Sequence, residues 1–140
     1  MEELLPVATD NNSGIIDKSN FKMIDKSTYF SNKGTYLSFG KIVDYTSFFI
    51  EIDYSELFDK YFSVSIYGHY TKDYGAGCTA FKRLGTIVPN IFYDKTKGIV
   101  YVYYKSIQAN KARVRVGDNM VMSVIEEDID TSTFERISLS

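Results

Sequence analysis

The single histidine and the single cysteine are the first residues to consider for catalysis. A cysteine nucleophile needs a base beside it, and the loop between His69 and Cys78 could let the two side chains meet. Nothing around Cys78 marks an activated thiolate, and a lone cysteine is more often a small buried hydrophobe. One histidine excludes a site with two His ligands from one chain, although a mixed Cys/His/carboxylate site stays formally open. We therefore predict no catalytic residue, no metal site and no cofactor.

Two other segments imitate ligand-binding motifs. Residues 75–77 (Gly-Ala-Gly) lack the Gly-Lys-Ser/Thr ending of a phosphate loop and no helix is predicted after them, so we interpret them as a flexible loop. Residues 126–130 carry four carboxylates. A calcium loop needs a glycine for its bend, and this segment has none. We interpret it as a solvated turn between two strands.

The basic residues Lys111, Arg113 and Arg115 form a more specific pattern. Alternation along a strand places all three side chains on one face. Such a face could bind acidic glycans or the carboxylates of a partner. The structural alternatives, which we favour, are charges that prevent pairing at a sheet edge and pairing with the acidic residues 126–130.

Composition excludes several classes of protein. The 140 residues suffice for one domain with a real core, and the aromatic residues are 12 Tyr and 10 Phe without Trp. A net charge of −2 with dispersed charges argues against nucleic-acid binding. No segment approaches the ~20 apolar residues of a membrane helix, and the acidic start is unlike a signal peptide. One cysteine fits folding in a reducing cytoplasm. We expect neither a nucleic-acid nor a membrane partner.

From residue 35 onward the pattern is that of short strands separated by turns. Residues 61–70 alternate most clearly, with Phe62, Val64 and Ile66 on one face. Residues 94–98 (Asp-Lys-Thr-Lys-Gly) predict a hairpin turn. This pattern predicts a mainly β fold, an antiparallel sandwich or barrel, and we predict a jelly-roll-like β-sandwich. The other predicted strands are 36–43, 47–53, 79–84, 87–93, 99–105, 112–116, 120–125 and 133–139, with a helical turn at 55–60.

The predicted strand at residues 99–104 (IVYVYY) is apolar on both faces. Such a strand is either central and covered twice, or covered by the core on one face and by a partner on the other.

Residues 1–34 differ from the rest, because their apolar residues occur in small separated groups. Asp17 can cap a short helix with Phe21 and Ile24 on one face. A helix of about ten residues is marginal alone in water, so it must lie against something. We predict an N-terminal arm at 1–34 and a β-sandwich knob at 35–140.

Residues 5–17 (LPVATDNNSGIID) resemble a segment that recurs in bacteriophage fibre proteins. There, LP-A-T is followed by polar residues, Gly, two apolar residues and a short helix rich in Asp and Lys, which corresponds to residues 17–26 here. In tail and head fibres this segment commonly precedes a β-rich knob, and the fibres are usually trimers. The domain that follows resembles, more loosely, the tyrosine-rich terminal sandwiches of such fibres.

The resemblance implies a small fibre or knob-bearing protein of the virion, on the head or the tail, assembled in the cytoplasm of the host bacterium. It would form a homotrimer and contact other virion proteins. Residues 1–16 would attach it to the particle and residues 17–34 would trimerise. The implied attachment residues are Leu4, Leu5, Pro6 and Val7, and the implied trimerisation residues are Ile15, Ile16, Phe21 and Ile24.

The knob would attach to a host-surface ligand, either a cell-surface glycan or mucus-like material, through exposed tyrosines and polar side chains. The residues expected at this contact are Tyr67, His69, Tyr70, Tyr74, Arg113 and Arg115. The alternatives are a purely architectural capsid or tail component without an external ligand and, less favoured, an enzyme that degrades surface polysaccharide.

Overall fold

A computed structural model describes residues 22–57 and 59–140, which form ten β-strands. The strands are β1 (Met23–Phe30), β2 (Thr35–Lys41), β3 (Tyr45–Ser55), β4 (Tyr61–Thr71), β5 (Gly75–Gly85), β6 (Asn90–Asp94), β7 (Ile99–Tyr104), β8 (Asn110–Gly117), β9 (Met120–Ile125) and β10 (Glu135–Ile137).

The strands form two antiparallel sheets that pack face to face. The first sheet has the order β1-β8-β3-β4-β5, and the second has the order β10-β6-β7-β2-β9. The prediction of a mainly β antiparallel sandwich is confirmed. The predicted hairpin turn is also present, with Gly98 at φ 70° and the Asp94 carboxylate accepting the amide hydrogens of Thr96 and Lys97.

The core lies between the two inner faces and follows the period of two that strands impose. Phe62, Val64 and Ile66 of β4 are fully buried, as their alternation predicts. Leu37 and Phe39 meet them from the second sheet. The other fully buried large side chains are Phe30, Ile50, Ile52, Ile91, Tyr93, Val100 and Val102.

The two-sided apolar strand β7 is the central strand of the second sheet. Its Val100 and Val102 point into the core, and Tyr101 lies on the outer face. Residues 126–134 connect β9 at one edge of this sheet to β10 at the other. They bring Phe134 onto Tyr101, with ring centroids 5.2 Å apart. The chain itself therefore covers Tyr101 on the outer face of β7.

The helix predicted over 17–26 is wrong for its last four residues, which lie in β1. This strand pairs with β8 from Met23↔Gly117 to Phe30↔Asn110. Ile24 and Phe30 share the inward face, and the burial of Phe30 together with the hydrogen bonds to β8 outweighs a weak helical preference. β1 is thus part of the first sheet, although it lies before the predicted boundary at residue 34. Residues 1–21 lie outside the described part of the chain.

Two shorter predictions also differ from the structure. In place of the expected helical turn at 55–60, β3 continues to Ser55, the Glu56 amide donates to the Lys60 carbonyl at 2.8 Å and the Lys60 amide donates to the Leu57 carbonyl at 3.1 Å. Residues 75–77, expected as a loop, begin β5 and pair with residues 69–71 of β4.

Candidate ligand-binding face

Three aromatic side chains cluster on the outer face of the first sheet. Phe49 of β3 lies directly opposite Tyr67 of β4, and their ring centroids are 4.7 Å apart. Phe81 of β5 lies diagonal to Tyr67 at 5.9 Å. Tyr67 and Phe81 remain 45% and 42% exposed. We call Phe49, Tyr67 and Phe81 the aromatic cluster.

A charge network borders this cluster. Arg83 binds Asp53 at 3.0 Å and Glu51 at 3.5 Å. Arg83 can reach them because Ser63 and Val64 pair with Leu84 and Lys82, which leaves Arg83 as the extra residue of a β-bulge. The bulge turns its guanidinium towards β3. A shallow depression of about 410 Å³ lies between this guanidinium and the aromatic rings.

A second, larger depression lies further along the same face, where β8, β3 and β4 run side by side. Its volume is about 480 Å³, and we call it the basic groove. Its basic side chains are Lys111 and Arg113 of β8, and its apolar wall includes Leu84. Together with the aromatic cluster, it makes the outer face of the first sheet the candidate binding surface.

The predicted contact residues do not all reach this face. Tyr67 and His69 lie on it, because they alternate with the core residues of β4. Tyr74 is 85% exposed in the turn between β4 and β5. The prediction that Tyr70 is an exposed contact is wrong. Tyr70 shares the inward face with Phe62 and is 8% exposed, and its hydroxyl donates to the Thr96 carbonyl at 3.2 Å.

The basic stripe lies on the outer face as predicted, but its residues differ in their partners. β8 is flanked by β1 and β3, so the edge-blocking interpretation is wrong. The Arg115 guanidinium lies 3.9 Å from a carboxylate oxygen of both Asp25 and Glu51. These partners come from neighbouring strands and not from residues 126–130.

Most residues implied in attachment and trimerisation lie outside the described part of the chain, namely Leu4, Leu5, Pro6, Val7, Ile15, Ile16 and Phe21. Ile24 is described and lies in β1 opposite Val116. Its expected place on a helix face is therefore wrong, and its side chain is half-buried at the edge of the sandwich.

The Cys–His pair that the sequence left open is not formed. His69 pairs with Gly77, and the neighbouring pair is Gly68 with Cys78. Consecutive pairs point to opposite faces, so the imidazole lies outside over Gly77 while the thiol packs against the core. Burial, with a smaller effect of Glu135, raises the pKa of Cys78 to about 12. The thiol is therefore protonated at neutral pH.

Residues 126–130 belong to the connection that crosses the outer face of the second sheet. The Asp130 carboxylate accepts the Ser132 amide hydrogen at 3.0 Å, and hydrogen bonds from Ser132 lower the pKa of Asp130. Within residues 22–57 and 59–140, no group of three or more His, Cys, Asp or Glu side chains is arranged to hold a metal ion. The same residues contain no helix that is long and apolar enough to cross a membrane.

Sequence reasoning missed Phe49, Phe81 and Arg83 as members of the binding face. Alternation alone could have placed Phe49 opposite in direction to the buried Phe48. The residues that Phe49, Phe81 and Arg83 contact across the sheet depend on strand order and register. The bulge that redirects Arg83 has no recognisable sequence pattern. These features arise from pairing between distant segments.

Comparison of the chain with protein-family models, with curated proteins and with solved structures finds no match.

Proposed function

We propose that the chain is a phage virion fibre protein whose β-sandwich is a knob that binds a host-surface glycan. The observation that carries the binding role is the aromatic cluster, whose Tyr67 and Phe81 rings stay open to solvent beside charged side chains. Aromatic rings offer an apolar face, and the surrounding polar groups can fix the orientation of a hydroxyl-rich ligand. A sugar ring has both kinds of surface.

The N-terminal sequence supports the virion assignment through its resemblance to fibre proteins. In this proposal residues 1–16 attach the chain to the particle, and three copies associate through the residues that follow. The connectivity supports a jelly-roll-like knob. The support comes from two pairs, because β1 pairs with β8 in one sheet and β2 pairs with β7 in the other. The consecutive strands β3, β4 and β5 depart from this pattern and form a meander within the first sheet.

Glycan binding is tested by applying the purified, fluorescently labelled chain to an array of bacterial surface polysaccharides. We expect Tyr67→Ala combined with Phe81→Ala to lower the affinity at least tenfold, since exposed aromatic anchors commonly dominate a contact. Val121→Ala is the control, because Val121 is 55% exposed but lies in β9 of the second sheet, away from the candidate binding surface. Equal binding by the double variant and the wild type would exclude the aromatic cluster as the contact, and no binding by the wild type would favour a purely architectural component.

The trimer and the location need separate measurements. Native mass spectrometry at micromolar concentration is expected to give three times the chain mass, and a stable monomer would refute the trimer. An electron-microscopy map of the virion is expected to contain the two-sheet knob at the particle surface. Absence of this density from the particle would refute the virion assignment.

A further inference from the structure

Two cations of the outer face have no counterion in the part of the chain that the structure describes. Lys111 and Arg113 are exposed, and no carboxylate of residues 22–57 or 59–140 forms an ion pair with either. Arg115, two positions further along β8, is bordered by Asp25 and Glu51. The positive charge of the stripe is therefore concentrated at one end, in the basic groove.

The pairing of Asp53 explains why Arg113 lacks a counterion. Asp53 lies directly opposite Arg113 in the register of β3 and β8. Its carboxylate oxygen, however, binds the Arg83 guanidinium at 3.0 Å and accepts a hydrogen bond from the Ser63 hydroxyl. Because the β-bulge turns Arg83 towards β3, Arg83 binds Asp53, the acidic residue that is paired with Arg113.

The groove is lined by hydroxyl groups as well as by the two cations and by Asp53, whose carboxylate is bound by Arg83. Ser27, Ser55, Ser63 and Tyr61 all contribute to its wall. Hydroxyls donate and accept hydrogen bonds, which suits a ligand with many hydroxyls of its own. The guanidinium of Arg113 can bind a carboxylate through two parallel hydrogen bonds.

We propose that the basic groove binds the carboxylate of an acidic glycan, with Arg113 and Lys111 as its counterions; this inference rests on the proposed glycan-binding function. A polyphosphate backbone is a less suitable ligand, because the groove offers only two cations and the chain has a net charge of −2. Tyr67 lies four positions along β4 from Ser63, a distance of about 13 Å. One oligosaccharide can therefore place a sugar on the aromatic cluster and its carboxylate in the groove.

The test uses the full chain and a panel of uronate- and sialate-containing bacterial oligosaccharides, each paired with its carboxyl-reduced form. Binding is measured by titration calorimetry for the wild type, Arg113→Gln and Lys111→Gln. The matched control is Lys72→Gln, which removes one exposed positive charge from the turn between β4 and β5. All four chains are compared by circular dichroism to establish that they are folded.

We expect the wild type to bind an acidic oligosaccharide at least tenfold more tightly than its carboxyl-reduced form. Arg113→Gln should abolish this preference, Lys111→Gln should weaken it, and Lys72→Gln should retain it. Equal binding of acidic and reduced forms, or an undiminished preference in Arg113→Gln, would overturn the carboxylate site while glycan binding stands. If the wild type binds no member of the panel or of the polysaccharide array, the proposed function fails as well.

Discussion

The ring of Phe134 lies parallel to the ring of Tyr101, with the centroids 5.2 Å apart and the planes inclined by 6°. This contact joins the connection between β9 and β10 to the central strand of the second sheet. It gives β7 a second apolar cover from its own chain. A trimer is therefore not required to cover Tyr101, and the trimer proposal depends on the N-terminal arm alone.

Phe134→Ala should destabilise the fold by about 1–3 kcal/mol, because it removes a half-buried aromatic contact. Urea denaturation at pH 7 measures this loss. Phe81→Ala is the matched control, since Phe81 is 42% exposed on the other sheet. Phe81→Ala should lower the free energy of unfolding by less than about 1 kcal/mol. Equal losses in the two variants would show that Phe134 does not help to cover β7.

Gly68→Ala should destabilise the fold by about 1–3 kcal/mol through overpacking. A Cβ at residue 68 would lie 2.1 Å from Cζ of Phe48 and 2.6 Å from the carbonyl oxygen of Gly77. Gly40→Ala is the control, because its Cβ would meet its nearest neighbour, Ile99, at 3.9 Å. The thermal unfolding midpoint of Gly68→Ala should lie well below those of Gly40→Ala and the wild type. Similar midpoints for all three chains would contradict the close packing of β4 on Phe48.

Asn119→Ala should cost about 1–3 kcal/mol, because it leaves a buried hydrogen-bonding group without its partner. The Asn119 side-chain amide donates to the Thr46 hydroxyl at 2.6 Å and to the Ser47 carbonyl at 2.8 Å. Asn110→Ala removes a similar bond to Ser55, but from an exposed site. Chemical denaturation should therefore show a smaller loss for Asn110→Ala, and the reverse order would refute the role of Asn119 in fixing the turn between β8 and β9.

Cys78 should make the stability depend on pH above 9. Its pKa rises from 9.0 to about 12 on folding, so both states are protonated below pH 9 and the full stability is present there. Between pH 9 and 12 only the unfolded chain loses the proton. The free energy of unfolding then falls by up to about 1.4 kcal/mol per pH unit from this group.

Cys78→Ala removes that contribution and leaves every other ionisable side chain of the protein in place. Denaturation under reducing conditions from pH 7 to pH 10.5 should show a steeper decline for the wild type than for Cys78→Ala. Parallel declines would mean that the thiol is not protected from ionisation in the folded state. The comparison uses slopes, so a different stability of Cys78→Ala at pH 7 does not affect it.

Much of the sandwich could be predicted because strand alternation is local. The burial of Phe62, Val64 and Ile66 followed from their spacing, and the turn at 94–98 from its Asp and Gly. Tyr70 was misplaced although the same alternation puts it on the inward face. The helix predicted at 17–26 failed over its last residues because the hydrogen bonds that form β1 come from β8, which is distant in sequence.

The sequence by itself determined the mainly β composition, most strand positions and the shared face of Lys111, Arg113 and Arg115. The tertiary structure alone decided which of these cations is neutralised and which aromatic rings meet. Both depend on strand order, register and the bulge at Arg83. Pairing between segments far apart in the chain sets these, because cross-strand hydrogen bonds and core packing stabilise one arrangement that no local pattern encodes.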